Sequence, residues 1–588
     1  MPKPDKGAAR LNFAMENAAR CGDTTAWLLA AGALYDRARS GETTEEDLRS
    51  SRVALLDKVD GLRGAFRSRV GRLWAAQQVD LRIGELFSDE ARCQTPDLPT
   101  LFRLMEAGKS RTLLDHLGSV YIDLPEAERQ GIRSLEKSIL SFPDAQPANW
   151  NERELRLYSG LPILERWGPA NTRLPIRAVE DAYARASAGF SAVEPVASLD
   201  DVRLALQPDE ILVDYCIPLH PTHPAIALHG MIVTREGVHC YALNLRTALA
   251  DIGGFAGSFS INGGAPLKTS QLAAVLFACR EDIQAGNEGE AEVRLRRFGE
   301  LLITPVLESG IDPKRQKHWI VSPHRILHTV PWNAVIANGG EALMNDVAIT
   351  LAPSASVWHK LRATTTSAPK RFVAFGNPRP LPDTSLKNLA QAEVEVSLLS
   401  SIVMEQMDCK VLINQDASEA ALRREVGQAG MVHFATHGAF PEQDAIDFHQ
   451  LLLAPGEGFD GRVLAEELRG MDFHGASLVV LSICNGGLYR FGPGDEPYGL
   501  VPAILAAHAL NIVGPLWSVA DNKARQFMTT FYSHLFESGP PEALRQTCRE
   551  LAQQGWLMRD WAAFVLVGNG LPLPGSEKIK RSSDAPDV

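Results

Sequence analysis

Two apolar runs in the second half of the chain each end on a reactive side chain. Residues 431–440 read MVHFATHGAF and residues 481–489 read LSICNGGLY. A thiol with an ordinary pKa of about 8.5 is mostly protonated near neutrality; an imidazole beside it favours the nucleophilic thiolate and can protonate a leaving amine. His437 and Cys484 are therefore a candidate base and nucleophile. Attack on a carbonyl creates an oxyanion, and the main-chain N–H groups of Gly438 and Cys484 are natural donors to it if the loop after His437 turns back over the site. Gly438 admits close backbone approach, while Gly486 and Gly487 suit a tight turn into the next segment. A nucleophile elbow needs GxSxG with its histidine downstream; here the histidine comes first, which excludes that hydrolase type. The spacing of His433 and His437 suggests zinc, but HFATH lacks the glutamate of a zinc helix and falls on an expected strand, where i and i+4 are far apart. No metal or other cofactor is expected, and His433 is expected to sit in the core or to support the site.

Both runs have the pattern of central parallel strands, buried on both faces. In an open α/β sheet, ligands bind beyond the carboxyl ends of the strands, so neighbouring strands would bring imidazole and thiol within hydrogen-bond reach. After Lys370 such runs alternate with helical ones: RFVAFGNP, AQAEVEVSLLSSI, KVLINQ, SEAALRREVGQ, MVHFATHG, RVLAEELRG, SLVVLSIC, GLVPAILAAHAL and NIVGPLWSV. Strict alternation implies a parallel sheet covered on both faces. Between Ala197 and Lys370, EILVDYCIPL, AIALHGMIVTREGVHCYAL, HWIVSPHRILHTVPWNAVI and DVAITLAPS read as short strand runs. Before them, residues 11–141 carry apolar positions three and four apart, the pattern of amphipathic helices. SFPDAQPANWN interrupts it as a linker or long loop, the helical AVEDAYARASAGF follows, and GSEKIKRSSDAPDV reads as a disordered tail.

A length of 588 residues exceeds what one core usually supports, so several folding units are expected. The 45% hydrophobic and 22% charged content, with mean hydropathy −0.09, is that of a soluble globular protein. A formal net charge of −12 argues against nucleic-acid backbone binding as the main task. Eight cysteines scattered singly, without a CxxC pair, fit a reducing compartment. The N-terminus has no continuous apolar h-region, and the apolar stretch 501–517 is broken by His508, Asn511, Gly514 and Pro515. A cytoplasmic protein without a direct nucleic-acid or membrane partner is expected.

The His-to-Cys separation, 484 − 437 = 47, is near the roughly 50 residues of caspase-type proteases. VHFATHG, LVVLSICNGG, YGLVPAILAAHALNIVGPLWSVAD, FMTTFYSHL and WAAFVLVGNG, preceded by VSPHRILHTVPWNAVI, ITLAPSAS and FVAFGNP, together resemble a CHAT domain over roughly Ala197 to Gly570. CHAT domains are a bacterial branch of the caspase-like and separase-like cysteine proteases of peptidase clan CD. The resemblance implies an α/β caspase-like fold, a parallel-sheet three-layer sandwich with a degenerate lobe at 197–369 and a catalytic lobe at 370–573. An all-α, helical-repeat-like domain at 1–145, a connection at 146–196 and a tail at 574–588 complete the expected layout. EAGKSRTLLDHL is similar to the TPR-like regions often joined to CHAT, although the W-x-x-L-G-x-x-Y pattern and a 34-residue period are absent. CHAT domains commonly follow the cysteine with a small polar residue and glycine; CNGG keeps the glycine and places Asn485 between.

What the resemblance implies for function is a cysteine endopeptidase with a His437–Cys484 dyad. An activating protein or complex would engage the N-terminal helices, and the substrate would be a specific protein in a bacterial antiviral-defence or cell-death pathway, gasdermin-like or CRISPR-linked. The alternative is a CHAT-fold adaptor with little or no proteolysis, and self-processing is a third possibility. Asp521, in WSVAD, aligns by resemblance with the W-x-V-x-D segment of separases, where an aspartate helps form a pocket for a basic P1 residue; a helix cap is the other reading. Glu442, Asp444 and Asp447 would line the cleft or form a solvated acidic loop, and His324 and His328 would be structural members of the degenerate lobe.

Overall fold

The β-branched and aromatic runs after Asp209 meet in one eleven-stranded sheet. This computed structural model describes residues 13–14, 24–40, 44–64, 66–118, 121–122, 169–186, 189–190, 192–218, 227–245, 269–337, 340–364, 371–383, 385–439, 449–487 and 490–574. The strands of the large sheet are β1 (Glu210–Cys216), β2 (Ala227–Val233), β3 (Val238–Asn244), β4 (His318–Ser322), β5 (Ala348–Leu351), β6 (Arg371–Pro378), β7 (Asp408–Asn414), β8 (Met431–Ala435), β9 (Leu478–Ser482), β10 (Asn511–Pro515) and β11 (Phe564–Gly568). Their spatial order is β3-β2-β1-β4-β5-β11-β10-β9-β8-β6-β7. The mostly parallel, helix-covered sheet expected of a caspase-like fold is therefore present.

It departs from strict parallelism in two places. The hairpin β1–β2–β3 is antiparallel, and its outer strand β3 is partly solvated, as befits an edge. The late strand β11 runs antiparallel to β10 and parallel to β5, pairing Val567 with Leu351, so it closes the two halves into one sheet. Strands β8, β10 and β11 are buried along their whole length, and His433 is the only titratable residue in them. One expectation is corrected. In HWIVSPHRILHTVPWNAVI only His318–Ser322 is strand; Arg325–Thr329 and Trp332–Ala334 are 3-10 turns. Pro323 and Pro331 lack the N–H a ladder needs, and the strand ends before the first of them.

The helices described before the sheet include α1 (Thr24–Ser40), α2 (Glu45–Gly64), α3 (Arg69–Ala91), α4 (Leu98–Ala107) and α5 (Arg111–Gly118). Ser68 starts α3 by accepting from Gly71 N, and Asp97 starts α4 by accepting from Thr100 N, with a proline in that helix's first turn. Leu101, Phe102 and Met105 of α4 pack with Leu212, Ile320 and Trp358, while Leu113, Leu114 and Leu117 of α5 join the main core of the sheet. Lys109 and Asp214, both fully buried, form an ion pair between these helices and β1. The helical layer thus shares its core with the first half of the sheet. A further helix, Pro169–Arg185, covers much of the AVEDAYARAS segment. The SFPDAQPANWN linker and most of the C-terminal tail lie outside the described residues. Among the described residues, no helix is long and apolar enough to cross a membrane.

Candidate active site

Strands β8 and β9 are parallel neighbours in register, from Met431 opposite Leu478 to Ala435 opposite Ser482. His437 and Cys484 each stand two residues beyond the last pair, at the carboxyl edge of strands spaced about 4.8 Å apart. Both line one open cleft, with Glu395, Asp521, Pro515, Val519 and Phe564 among its other walls. The thiol-bearing Cys484 is exposed and His437 is half-buried.

The loop carrying His437 is fixed through its backbone. Thr436 Oγ1 donates to Leu452 O at 2.6 Å, and Leu452 N donates to His437 O at 3.0 Å. The short strand Gly438–Ala439 then pairs antiparallel with Gln450–Leu452. Bonded and non-bonded pairs alternate in such a ladder, so the bonded His437–Leu452 pair makes Gly438–Leu451 a non-bonded one. The Gly438 N–H is consequently turned away from its ribbon partner.

The imidazole is held by a group that side-chain motifs do not reveal. His437 Nε2 lies 2.7 Å from the main-chain carbonyl of Lys387. A carbonyl only accepts, so this contact assigns the proton to Nε2 and leaves the Nδ1 lone pair as the basic site.

The turn after β9 adds a second role to its glycines. Gly486 N donates to Ile483 O at 3.0 Å, closing a four-residue turn. The residue with positive φ is Asn485, at 55°, the third position of a type II pattern. Gly486 and Gly487 are needed for space as well. A Cβ on Gly487 would stand 2.3 Å from Gly514 O, and one on Gly486 would stand 2.6 Å from Ile483 Cγ1. Gly487 N also donates to Pro515 O at 2.9 Å, tying the turn to β10.

Asp521 opens helix α8 (Asp521–Ser538), following helices α6 (Ala390–Val403) and α7 (Leu500–Ala506). The cap position of α8 is Ala520, so Asp521 is not its N-cap, and its carboxylate instead accepts from Gln391 N at 3.1 Å. Burial raises the Asp521 carboxyl above its ordinary range and Glu395 adds to this, while the Gln391 N–H and nearby His437 oppose it. Glu395 was not anticipated as a cleft residue. Its signal was present: the buried face of α6 runs Ala392, Glu395, Val396, Leu399, Val403, which places a carboxylate on an apolar stripe.

His433 is fully buried, with Nε2 at 2.8 Å from Glu395 Oε1 and Nδ1 at 3.1 Å from Tyr532 Oη. It is a supporting group behind the cleft. His324 Nδ1 accepts from Ile217 N at 2.9 Å, and His328 Nε2 lies 3.3 Å from Asp495 Oδ2, both inside the first half of the molecule's polar core. Glu442, Asp444 and Asp447 lie outside the described residues. Among the described residues, Glu45, Glu90 and Cys93 are close enough together to share a cation. Arg52 pairs with both carboxylates and Arg49 with Glu90, so their charge is already met.

Residues 292–569 match the family model of the CHAT domain. The match starts later than the Ala197 suggested by the sequence motifs. No curated protein matches the chain. Among solved structures, the Saccharomyces cerevisiae separase–securin complex is similar at 12% identity and a TM-score of 0.37, over 95% of this chain and 46% of that one. The Arg-specific cysteine proteinase gingipain R is similar at 9% identity and a TM-score of 0.32, over 51% of this chain and 76% of that one. A complex of the pro- and mature domains of the Porphyromonas gingivalis gingipain gives 9% identity and a TM-score of 0.31, over 50% of this chain and 78% of that one. The chain spans less than half the length of the separase it matches. Over residues 292–569, just under half of its length, the chain is similar to the CHAT domain.

Proposed function

We propose that this protein is a cysteine endopeptidase in which His437 and Cys484 form the catalytic dyad. The observation that carries the reading is the register of β8 and β9, which starts both loops at the same level of the sheet and opens them into one cleft. In the mechanism, His437 Nδ1 accepts the Cys484 Sγ proton while Nε2–H stays bonded to Lys387 O. The thiolate attacks the scissile carbonyl, and the N–H groups of Gly438 and Cys484 receive the oxyanion. The imidazolium then protonates the leaving amine as the C–N bond breaks, and water hydrolyses the resulting thioester, releasing the acid and restoring the thiol.

A basic P1 side chain fits the cleft. Asp521 and Glu395 both line it, and among the described residues neither has a lysine or arginine as ion-pair partner. A substrate cation would add to the positive charge that Arg525 already places near Asp521. The wider role assigned by resemblance is cleavage of a specific protein in a bacterial defence or cell-death pathway, triggered by a partner at the N-terminal helices.

The test is a peptidyl electrophile with P1 arginine, read by intact mass and peptide mapping, with cleavage of matched peptides. Labelling confined to Cys484, and loss of cleavage in Cys484→Ala and His437→Ala, is the expected result. Peptide cleavage that persists in Cys484→Ala refutes the dyad; a wild-type protein that is never labelled favours the adaptor reading.

A further inference from the structure

The chain immediately after the nucleophile turn is held by residues from outside the catalytic half. Three residues beyond Gly487 it enters a two-stranded ribbon, Arg490–Gly492 against Glu496–Tyr498, that leads into α7. A ribbon tip built on Gly494 and Asp495, both with positive φ, would ordinarily be solvated. Here Asp495 is 0% exposed and Glu496 is 3% exposed.

Each carboxylate is met by a different layer of the molecule. Asp495 Oδ1 accepts from Arg325 N at 2.8 Å and Oδ2 lies 3.3 Å from His328 Nε2, both from the turn after β4. The Arg325 guanidinium continues to Asp80 of α3 at 2.9 Å. Glu496 Oε2 accepts from Thr112 N, in the first turn of α5, at 2.9 Å. Arg69 of α3 lies 4.5 Å over the Tyr498 ring. A Cβ on Gly494 would come within 3.0 Å of Ala76 Cβ, so α3 also packs directly on the tip. Buried carboxylates cost several kcal/mol each unless matched this closely, so the ribbon has one low-energy seat, and the N-terminal helices form part of it.

Building on the reading of Cys484 as nucleophile, we infer that Asp495 and Glu496 are positioning residues that tie the downstream arm of its turn to the helical layer. The upstream arm is already fixed by β9, and Gly487 N by Pro515 O. The ribbon fixes the chain again from Arg490, three residues beyond Gly487. The helices therefore act on the thiol through Asp495 and Glu496, and a ligand that shifts α3 or α5 reaches the site by this route.

The experiment uses the full chain and measures inactivation of Cys484 by a P1-arginine peptidyl acyloxymethyl ketone, separating the maximal rate from the half-saturating concentration. Asp495→Asn and Glu496→Ala are expected to lower the maximal rate by about tenfold or more with little change in half-saturation, since a misplaced nucleophile loses rate rather than binding. Glu496→Gln keeps an acceptor for Thr112 N and is expected to retain the wild-type rate; this comparison decides the matter if Asp495→Asn fails to fold. Variants that melt earlier but label at the wild-type rate per folded molecule make the ribbon a purely structural clamp and overturn the inference. A wild-type Cys484 that reacts with iodoacetamide but with no peptidyl probe overturns the protease reading, and the inference with it.

Discussion

His433 and Glu395 form a buried pair, Nε2 to Oε1 at 2.8 Å, directly behind the cleft that carries His437. Burial holds the Tyr532 hydroxyl well above its ordinary pKa, so it stays protonated and is a donor to His433 Nδ1. On the other side of the ring, Nε2 gives its proton to Glu395.

The stability of that pair should be strongly non-additive. His433→Leu strands a buried carboxylate and is expected to cost about 3–5 kcal/mol. The double variant His433→Leu with Glu395→Leu removes the charge as well and should recover much of the loss. Urea unfolding of both variants checks this; a double variant no more stable than the single would show that the charge is not what His433 compensates.

Asp521 should matter to substrate choice more than to folding. Asp521→Asn keeps an acceptor for Gln391 N but removes a charge, and kcat/KM for P1-arginine peptides is expected to fall about 30-fold or more. Peptides with a neutral P1 should change little. Profiling a peptide panel with both proteins decides it, and an unchanged P1 preference sinks the pocket assignment.

The nucleophile turn makes a prediction about residues that look interchangeable. Asn485→Gly relieves a left-handed backbone and should be tolerated, whereas Asn485→Val should lose about 1–2 kcal/mol. Gly487→Ala has no left-handed strain to contend with, yet its Cβ meets the Gly514 carbonyl, and an overpacking cost of about 1–3 kcal/mol is expected. Thermal melting of the three variants ranks them; a tolerated Gly487→Ala would show that β10 yields to the turn.

These residues also mark what could be read from the chain. His437 and Cys484 were visible because a doubly buried strand needs an unbroken apolar run, and such a run shows where its carboxyl end falls. The 3-10 turns after β4 were announced by Pro323 and Pro331 and should have been read there. Lys387 was not readable, since its contribution is a carbonyl that any residue carries. Nor was the seat of β11, because pairing with both β5 and β10 is decided by partners far away in sequence. The glycines after Cys484 mark the turn in the sequence, but their close approach to β10 does not show there, since backbone approach between two segments leaves the same mark as a turn.

Asp495 and Glu496, adjacent in the chain, should shape stability in opposite pH ranges. Burial opposes ionisation of Asp495, but His324, His328 and Arg325 outweigh it and hold the carboxyl down to about 2. Burial also draws both imidazoles below their ordinary range, so near neutrality the standing charge is that of Arg325. The folded value of Asp495 lies below the ordinary one of about 3.9, so its contribution is present above that pH and is lost as pH falls towards 2. Burial of Glu496 pushes its carboxyl up to about 7, against Arg69, the Thr112 N–H and Arg63, with Asp115 adding to the rise. Arg63, drawn down by its own burial to about 10, stays charged through this range. The folded chain then holds a proton on Glu496 that the unfolded chain has released, so stability falls as pH rises from about 4.5 to 7 and levels off above. Glu496→Gln abolishes that titration. Its urea midpoint, compared with wild type from pH 4.5 to 8, should gain on wild type across this window by an equivalent of up to about 3 kcal/mol. Parallel curves for the two proteins would mean that Glu496 is already ionised in its seat and that the Arg63 and Arg69 charges, rather than its burial, govern the ribbon.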